Sequence, residues 1–377
     1  MGIKVGVVIH GPGIVDSGYG ERILHILREF SEDIEITAKV GGNMGRVAVI
    51  DRGLEDLIDI SERLYPSQCL RRLRDRDILV LLNYGKSRET GHTFGRIVVE
   101  RGEVNKPVIQ IERPGEKDGS ILVWNRGSCS GSIREFLDNL LSYLSEKLDL
   151  KVEECIGNSL SVWKEGGRTF RRIDTVDPGE AIIVNGVVVG MALGSPVVLI
   201  VERGRIVEIV RGKIKRDGVE RLGPVDLGSA IVKTGLLRRG SFRGNAPYVL
   251  SSDPLGDVLI VDRGDIDILK ELKNGDVSTV VTIGSDTTSI LSGILSRFNV
   301  KIVGIADKDI FNYKLVEDLK ITEGSRIFLV ENCECYQVGK LLMEHLKGRR
   351  LSYQETLRDI VHLLEKYRIV YKVYEHL

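Results

Sequence analysis

Apolar and polar positions follow two rhythms along this chain. Over the first 125 residues, short β-branched or aliphatic runs stop five times and hand over to a glycine-rich or polar segment. The runs occupy residues 3–9, 35–40, 78–82, 108–111 and 121–123, and the segments after them read HGPGIVDSG, GGNMGR, NYGKSRETG, ERPG and NRGS. Between them apolar residues recur at helical spacing: Ile23, Ile26, Leu27 and Phe30; Phe94, Ile97 and Val98; Phe136, Leu137, Leu140, Leu141 and Leu144. Asp16 or Ser17 is placed to cap the first of these helices. Strands alternating with helices predict crossover units and a mostly parallel sheet. Ligands of such sheets sit in the crevice beyond the carboxyl ends of the strands, so the five segments are expected to rim one site.

The rhythm changes near residue 151. Short apolar bursts are then separated by turn signals at 165–167 (EGG), 177–180 (DPGE), 185–186 (NG), 202–205 (ERGR) and 238–240 (RRG), which predicts a small barrel or sandwich. The most apolar stretch, 181–201, has the length of a membrane span. The Asn185-Gly186 pair and the break at Gly194-Ser195-Pro196 instead predict a hairpin and a third strand. From about 255 the strand–helix alternation returns. Strands are expected at 258–261, 279–283, 301–305 and 326–330, with helices marked by Ile290, Leu291, Ile294, Leu295 and Phe298, and by Val338, Leu341, Leu342 and Leu346. An amphipathic helix and the strand-like RIVYKVY (368–374) end the chain. The expected architecture is α/β: a Rossmann-like domain (1–150), a β-rich middle domain (151–254), and a second Rossmann- or Toprim-like α/β domain (255–377).

The length of 377 residues agrees with more than one core. Formal charge is zero, from 54 basic and 54 acidic side chains, which argues against a dedicated nucleic-acid coat protein. One local bias exists: between Arg203 and Arg243 eleven Lys or Arg face four acids, a stretch able to track a phosphate backbone or to protect strand edges. Five cysteines without a C-x-x-C pair suggest reduced thiols in a cytoplasmic protein. No cationic segment precedes the first apolar run, so no signal peptide is expected.

The loops of the first domain offer two kinds of chemistry. Arg46, Lys86 and Arg113, with Asn83, Ser87 and Glu112, suit an anionic small molecule held beside backbone amides at strand–helix junctions. His10 or Glu89 is placed to move protons. Gly85-Lys86-Ser87 lacks the GxxxxGK[ST] spacing of a Walker loop, and the glycines at 11, 13, 18 and 20 miss GxGxxG. In the last domain the strand ends are acidic: Asp262, Asp286, Asp307 and Asp309 are expected to bind magnesium. Asp286 is equally placed to cap a helix starting at Thr287. Cys333 and Cys335 have the wrong spacing for a zinc or redox motif and read as packed thiols.

The order of Asp262, Gly284 and the Asp307/Asp309 pair resembles the Toprim domain, in which an acid ends the first strand and D-x-D the third. Toprim domains carry Glu where this chain has Asp262, which shortens the reach of that acid. Over nearly its whole length, through HGPGIVDSG, GGNMGR, NYGKSRETGHTFG, PVIQIERPG, PGEAIIVNGVVVG and IGSDTT, the chain resembles a conserved archaeal family best known from methanogens, a domain of unknown function. That resemblance implies an archaeal cytoplasmic protein and brings no catalytic residue with it. Ser285 stands where relatives read Gly-Asp-Asp-Thr-Thr, which weakens a metal role for that loop. The leading expectation is a magnesium-dependent enzyme acting on a phosphorylated or nucleotide-like small molecule. A nucleic-acid-processing protein using the basic stretch, and a non-catalytic ligand sensor, are the alternatives.

Overall fold

In the computed structural model the structure describes residues 2–156, 161–174, 176–235, 255–263, 266–274, 276–307 and 321–375. The chain forms two compact units, Met1–Ser161 and Val162–Leu377.

The first unit is a six-stranded sheet with helices on both faces. Its strands are β1 (Ile3–His10), β2 (Ile34–Gly41), β3 (Ile78–Asn83), β4 (Val108–Glu112), β5 (Ser120–Trp124) and β6 (Lys151–Glu153), in the order β2-β1-β3-β4-β5-β6. The first four in that order run parallel. Helices α1 (Gly11–Asp16), α2 (Tyr19–Phe30), α3 (Asn43–Arg52) and α6 (Gly131–Leu148) cover one face, where Val5, Val7, Ile9, Val80 and Ile109 meet Ile23, Leu27 and Leu140. Helices α4 (Pro66–Arg72) and α5 (Arg88–Gly102) cover the other, where Val8, Leu79, Leu81 and Val108 meet Leu70, Val98 and Val99. Burial on both faces explains why these strands read as nearly unbroken apolar runs.

Two expectations need correction here. HGPGIVDSG is not a loop: α1 follows β1 at once, and α2 takes Gly18, with φ +81°, as its N-cap in place of Asp16 or Ser17. β5 runs antiparallel to β4, so NRGS (125–128) lies at the opposite edge from the other four segments. Only residues 113–119 separate β4 from β5, too few for the crossover of a dozen or more residues that a parallel pair needs.

The second unit opens with β7 (Val162–Glu165), β8 (Arg168–Ile173), β9 (Ala181–Val184), β10 (Val187–Ala192), β11 (Val197–Glu202), β12 (Arg205–Val210), β13 (Gly212–Ile214), α7 (Arg216–Leu222) and β14 (Val232–Gly235). These make two four-stranded antiparallel sheets, β13-β10-β9-β14 and β12-β11-β8-β7, over a shared core that includes Val184, Val189, Leu199, Val201 and Leu227. The 181–201 stretch is therefore β9–β11. Asn185 and Gly186, with φ +46° and +81°, form its tight turn, the geometry for which Asn-Gly is suited. Among the described residues no helix is long and apolar enough to cross a membrane.

The rest of this unit comprises β15 (Gly256–Val261), α8 (Ile268–Asn274), β16 (Val277–Ile283), α9 (Ser285–Leu295), β17 (Ile302–Asp307), β18 (Arg326–Val330), α10 (Cys335–Leu346), β19 (Arg350–Leu351), α11 (Tyr353–Lys366) and β20 (Tyr371–Glu375). The strands form a sheet ordered β19-β15-β16-β17-β18-β20, parallel in its four central strands and antiparallel at both edges.

Candidate functional site

At the carboxyl edge of the first sheet the last residues of neighbouring strands form a polar row. Register pairs Ile9 with Leu82, so His10 stands beside Asn83; Asn83 pairs with Glu112, and Glu112 with Ser120. His10 Nδ1 lies 2.7 Å from Asn83 Oδ1, and Asn83 Nδ2 donates to Glu112 Oε2 at 2.8 Å. Glu112 is fully buried and also accepts from Gly85 N at 2.7 Å and Gln110 Nε2 at 2.9 Å. Burial pushes the Glu112 carboxyl pKa up, against the pull of these three donors, and the net direction is upward. The His10 ring stacks on Phe94, with centroids 4.0 Å apart and planes 17° apart.

Two glycines of α5 make room for this row. A Cβ on Gly91 would lie 2.0 Å from Glu112 Cδ, and one on Gly95 would lie 1.7 Å from Gln110 Oε1. Gly91 and Gly95, four apart on a helix, face Gln110 and Glu112, two apart on a strand, so helix and sheet approach closely over two buried polar side chains. His92 lies further along the row: its Nε2 is 2.9 Å from Ser120 Oγ, and its Nδ1 accepts from Ile156 N at 3.2 Å. Burial lowers the His92 pKa. A ring that accepts at Nδ1 carries its hydrogen on Nε2 when neutral, so it donates to Ser120 and does not activate it.

The other predicted residues serve in several ways. Arg46 is buried in α3, and its Nε donates to the Ile60 carbonyl at 2.8 Å. Ser87 is the N-cap of α5, in reciprocal contact with Thr90. Lys86 and Glu89 are exposed, in the segment joining β3 to α5 and in the first turn of α5; hydrogen bonds from its own backbone N–H and the Ser87 side chain lower the Glu89 pKa. Arg113 adopts φ +47°, donates to the carbonyls of Gly85 (2.6 Å) and Lys86 (3.1 Å), and pairs with Asp118 at 3.0 Å. It ties two loops together. Gln110, Gly91 and Gly95 were not anticipated as site residues. Their signal was a Gln inside the apolar strand VIQIE and a Gly-x-x-x-Gly on the helix before it.

The second sheet presents its own carboxyl edge. Arg221 and Asp286 form a buried ion pair at 2.8 Å; Arg221 also donates to the Asp262 carbonyl at 3.3 Å, and Val188 N donates to Asp286 at 3.3 Å. Asp286 is not the cap of a helix starting at Thr287: α9 begins at Ser285 with Gly284 as N-cap. Asp307 accepts from the backbone N–H and the thiol of Cys335, whose pKa burial drives up. Asp217, Asp307, Glu331 and Glu334 line a cavity of about 300 Å³ with Arg216 and Cys333. Among the described residues no group of three or more His, Cys, Asp or Glu is arranged to hold a metal ion. Asp309, on which the D-x-D pair depends, lies outside the described residues. Within the basic stretch, Lys215 and Arg221 are buried, paired with Asp217 and Asp286, which removes both from any solvent-facing phosphate track. Arg238, Arg239 and Arg243 lie outside the described residues.

A protein of Methanocaldococcus jannaschii described as uncharacterized is 46% identical over 372 residues, covering 98% of this chain and 99% of its own. Two solved Argonaute structures, one titled as the Aquifex aeolicus protein and one as Aa-Ago with externally bound siRNA, are 10% identical, with TM-scores of 0.16 and 0.18. This chain spans 36% and 50% of their lengths, and likeness at that level carries no argument. The family described as an uncharacterized protein conserved in archaea (DUF2117) matches residues 7–350, and the chain belongs to that family.

Proposed function

We propose that this protein is an enzyme that moves a proton on an anionic, phosphate-bearing small molecule bound at the carboxyl edge of the first unit's sheet, with His10 as the acid–base group. The observation that carries this reading is the row His10–Asn83–Glu112 at the ends of three parallel strands. A fully buried carboxylate with a raised pKa is expensive, and apolar side chains of similar size would usually stabilise such a position at least as well. Its presence exactly where open α/β sheets bind ligands therefore favours a role in chemistry over one in stability. Support for an anion comes from helix α3, which starts just beyond β2 with Gly42 as an N-cap that has no side chain to occupy its amides. The first-turn amides of a helix lack carbonyl partners within it and favour phosphate. Lys86, exposed between β3 and α5, adds positive charge nearby. Imidazole suits proton transfer near neutral pH.

The test is a thermal-shift screen with inorganic phosphate, sugar phosphates and nucleotides, with and without magnesium. A binder at 100 times its Kd adds about 2.7 kcal/mol of stability. The expected result is at least one phosphate-bearing compound that stabilises the protein and is turned over, with turnover lost and binding kept in His10→Ala. No stabilising compound removes the anion; equal turnover by His10→Ala removes the acid–base role.

A further inference from the structure

A directed chain of hydrogen bonds runs from Trp124 to His10, and groups able to play only one role set its direction. The Trp124 indole N–H is a donor, so the Gln110 atom 3.1 Å away is its amide oxygen. The Gln110 amide nitrogen then donates to the Gly91 carbonyl and to Glu112 Oε2, each at 2.9 Å. Gly85 N–H donates to Glu112 Oε1. As a carboxylate, Glu112 accepts at both oxygens, so Asn83 meets Oε2 with its NH₂ group. That turns the Asn83 carbonyl toward His10, and a carbonyl 2.7 Å from Nδ1 requires a hydrogen on Nδ1. A neutral imidazole carries one N–H, which leaves Nε2 as the basic nitrogen.

We infer that Glu112 is the positioning residue of His10: by holding the Asn83 amide in one orientation it selects the tautomer that keeps Nε2 basic. The catalytic meaning of this rests on the reading of His10 as the acid–base group, whereas the tautomer itself is a property of the free protein. The Phe94 ring fixes the plane of the imidazole, and the glycines at 91 and 95 let Glu112 and Gln110 stand beneath α5. Glu112 touches no reacting atom in this scheme and acts only through Asn83.

The experiment is the two-bond ¹H–¹⁵N histidine spectrum of the full chain without ligand, which distinguishes Nδ1–H from Nε2–H. The wild type is expected to show His10 as Nδ1–H. Glu112→Gln, whose amide can turn its NH₂ toward Asn83 and flip it, is expected to raise the Nε2–H share. The double variant Asn83→Asp with Glu112→Gln moves the carboxylate next to His10 and is expected to restore Nδ1–H. Glu112→Asp keeps the charge and is expected to keep the tautomer should Glu112→Gln fold poorly. A wild-type His10 protonated on Nε2, or a folded Glu112→Gln with an unchanged tautomer, overturns the inference. If the tautomers behave as described and no phosphate-bearing compound binds, the functional reading fails while the positioning role stands.

Discussion

Gly91→Ala isolates the close approach of α5 to β4. In an exposed helix this change would stabilise by about 1 kcal/mol through propensity. Here the added Cβ would lie 2.0 Å from Glu112 Cδ, 2.3 Å from its Oε1 and 2.5 Å from its Cγ. These atoms are the anchored body of a buried side chain, so either α5 lifts from the sheet or Glu112 leaves its donors. Lifting the helix is overpacking, at about 1–3 kcal/mol. Displacing Glu112 strands the donors of Asn83, Gly85 and Gln110, at about 1–3 kcal/mol for each one left unsatisfied. The cheaper route decides, so the net loss should be up to about 2 kcal/mol after the propensity gain. The assay is urea unfolding followed by Trp124 fluorescence in a Trp163→Phe background, because Trp163 is the chain's other tryptophan and lies in the second unit. Gly293→Ala in α9, where a Cβ meets nothing within 4 Å, serves as the contrasting case; followed through Trp163 of its own unit with Trp163 retained, it should stabilise by up to about 1 kcal/mol. A Gly91→Ala protein as stable as the wild type, with Trp124 emission unchanged, would refute the packing argument.

Two further outcomes can be measured. Arg221→Met leaves Asp286 as a buried charge without its cation and should cost the second unit about 3–5 kcal/mol, read from the unfolding midpoint reported by Trp163. At Asp59, burial pushes the pKa up, but hydrogen bonds from Lys39 and Ser61 outweigh it and bring it down to about 2 from 3.8. That shift is worth at most about 2.5 kcal/mol, and screening at a side chain 37% exposed reduces it to about 1 kcal/mol. A depressed carboxylate pKa stabilises above the unfolded value, so Asp59→Asn should be less stable at pH 7. The difference should shrink as pH falls from about 4 toward about 2, which urea midpoints across that range will check.

The parts of this protein readable in the sequence are those governed by local patterns. Apolar runs buried on both faces announce the central parallel strands, and Asn185-Gly186 announces its hairpin. The direction of β5 was also available, in the seven-residue RPGEKDG connection that cannot hold a crossover, but the rhythm of strand and polar loop masked it. The polar row could be anticipated residue by residue and not as a network. His10, Asn83 and Glu112 were each candidates, yet their joining depends on strand register between segments 73 and 29 residues apart. The same distance effect hid the use of Asp286: its partner Arg221 comes from helix α7, 65 residues earlier. A carboxylate at a strand end looks alike in sequence whether it awaits a cation or already faces a guanidinium.

The central claim, that a phosphate-bearing ligand meets His10 at the carboxyl edge of the first sheet, is tested most directly by amide chemical-shift mapping of the deuterated protein with inorganic phosphate and with adenosine diphosphate. The account predicts saturable shifts at Gly11, at Gly42–Gly45 and at Tyr84–Glu89, with the His10 ring signals moving alongside them. Saturable shifts confined to Asp307 and Glu331–Cys335 of the second unit, or none at all at millimolar ligand, would contradict it.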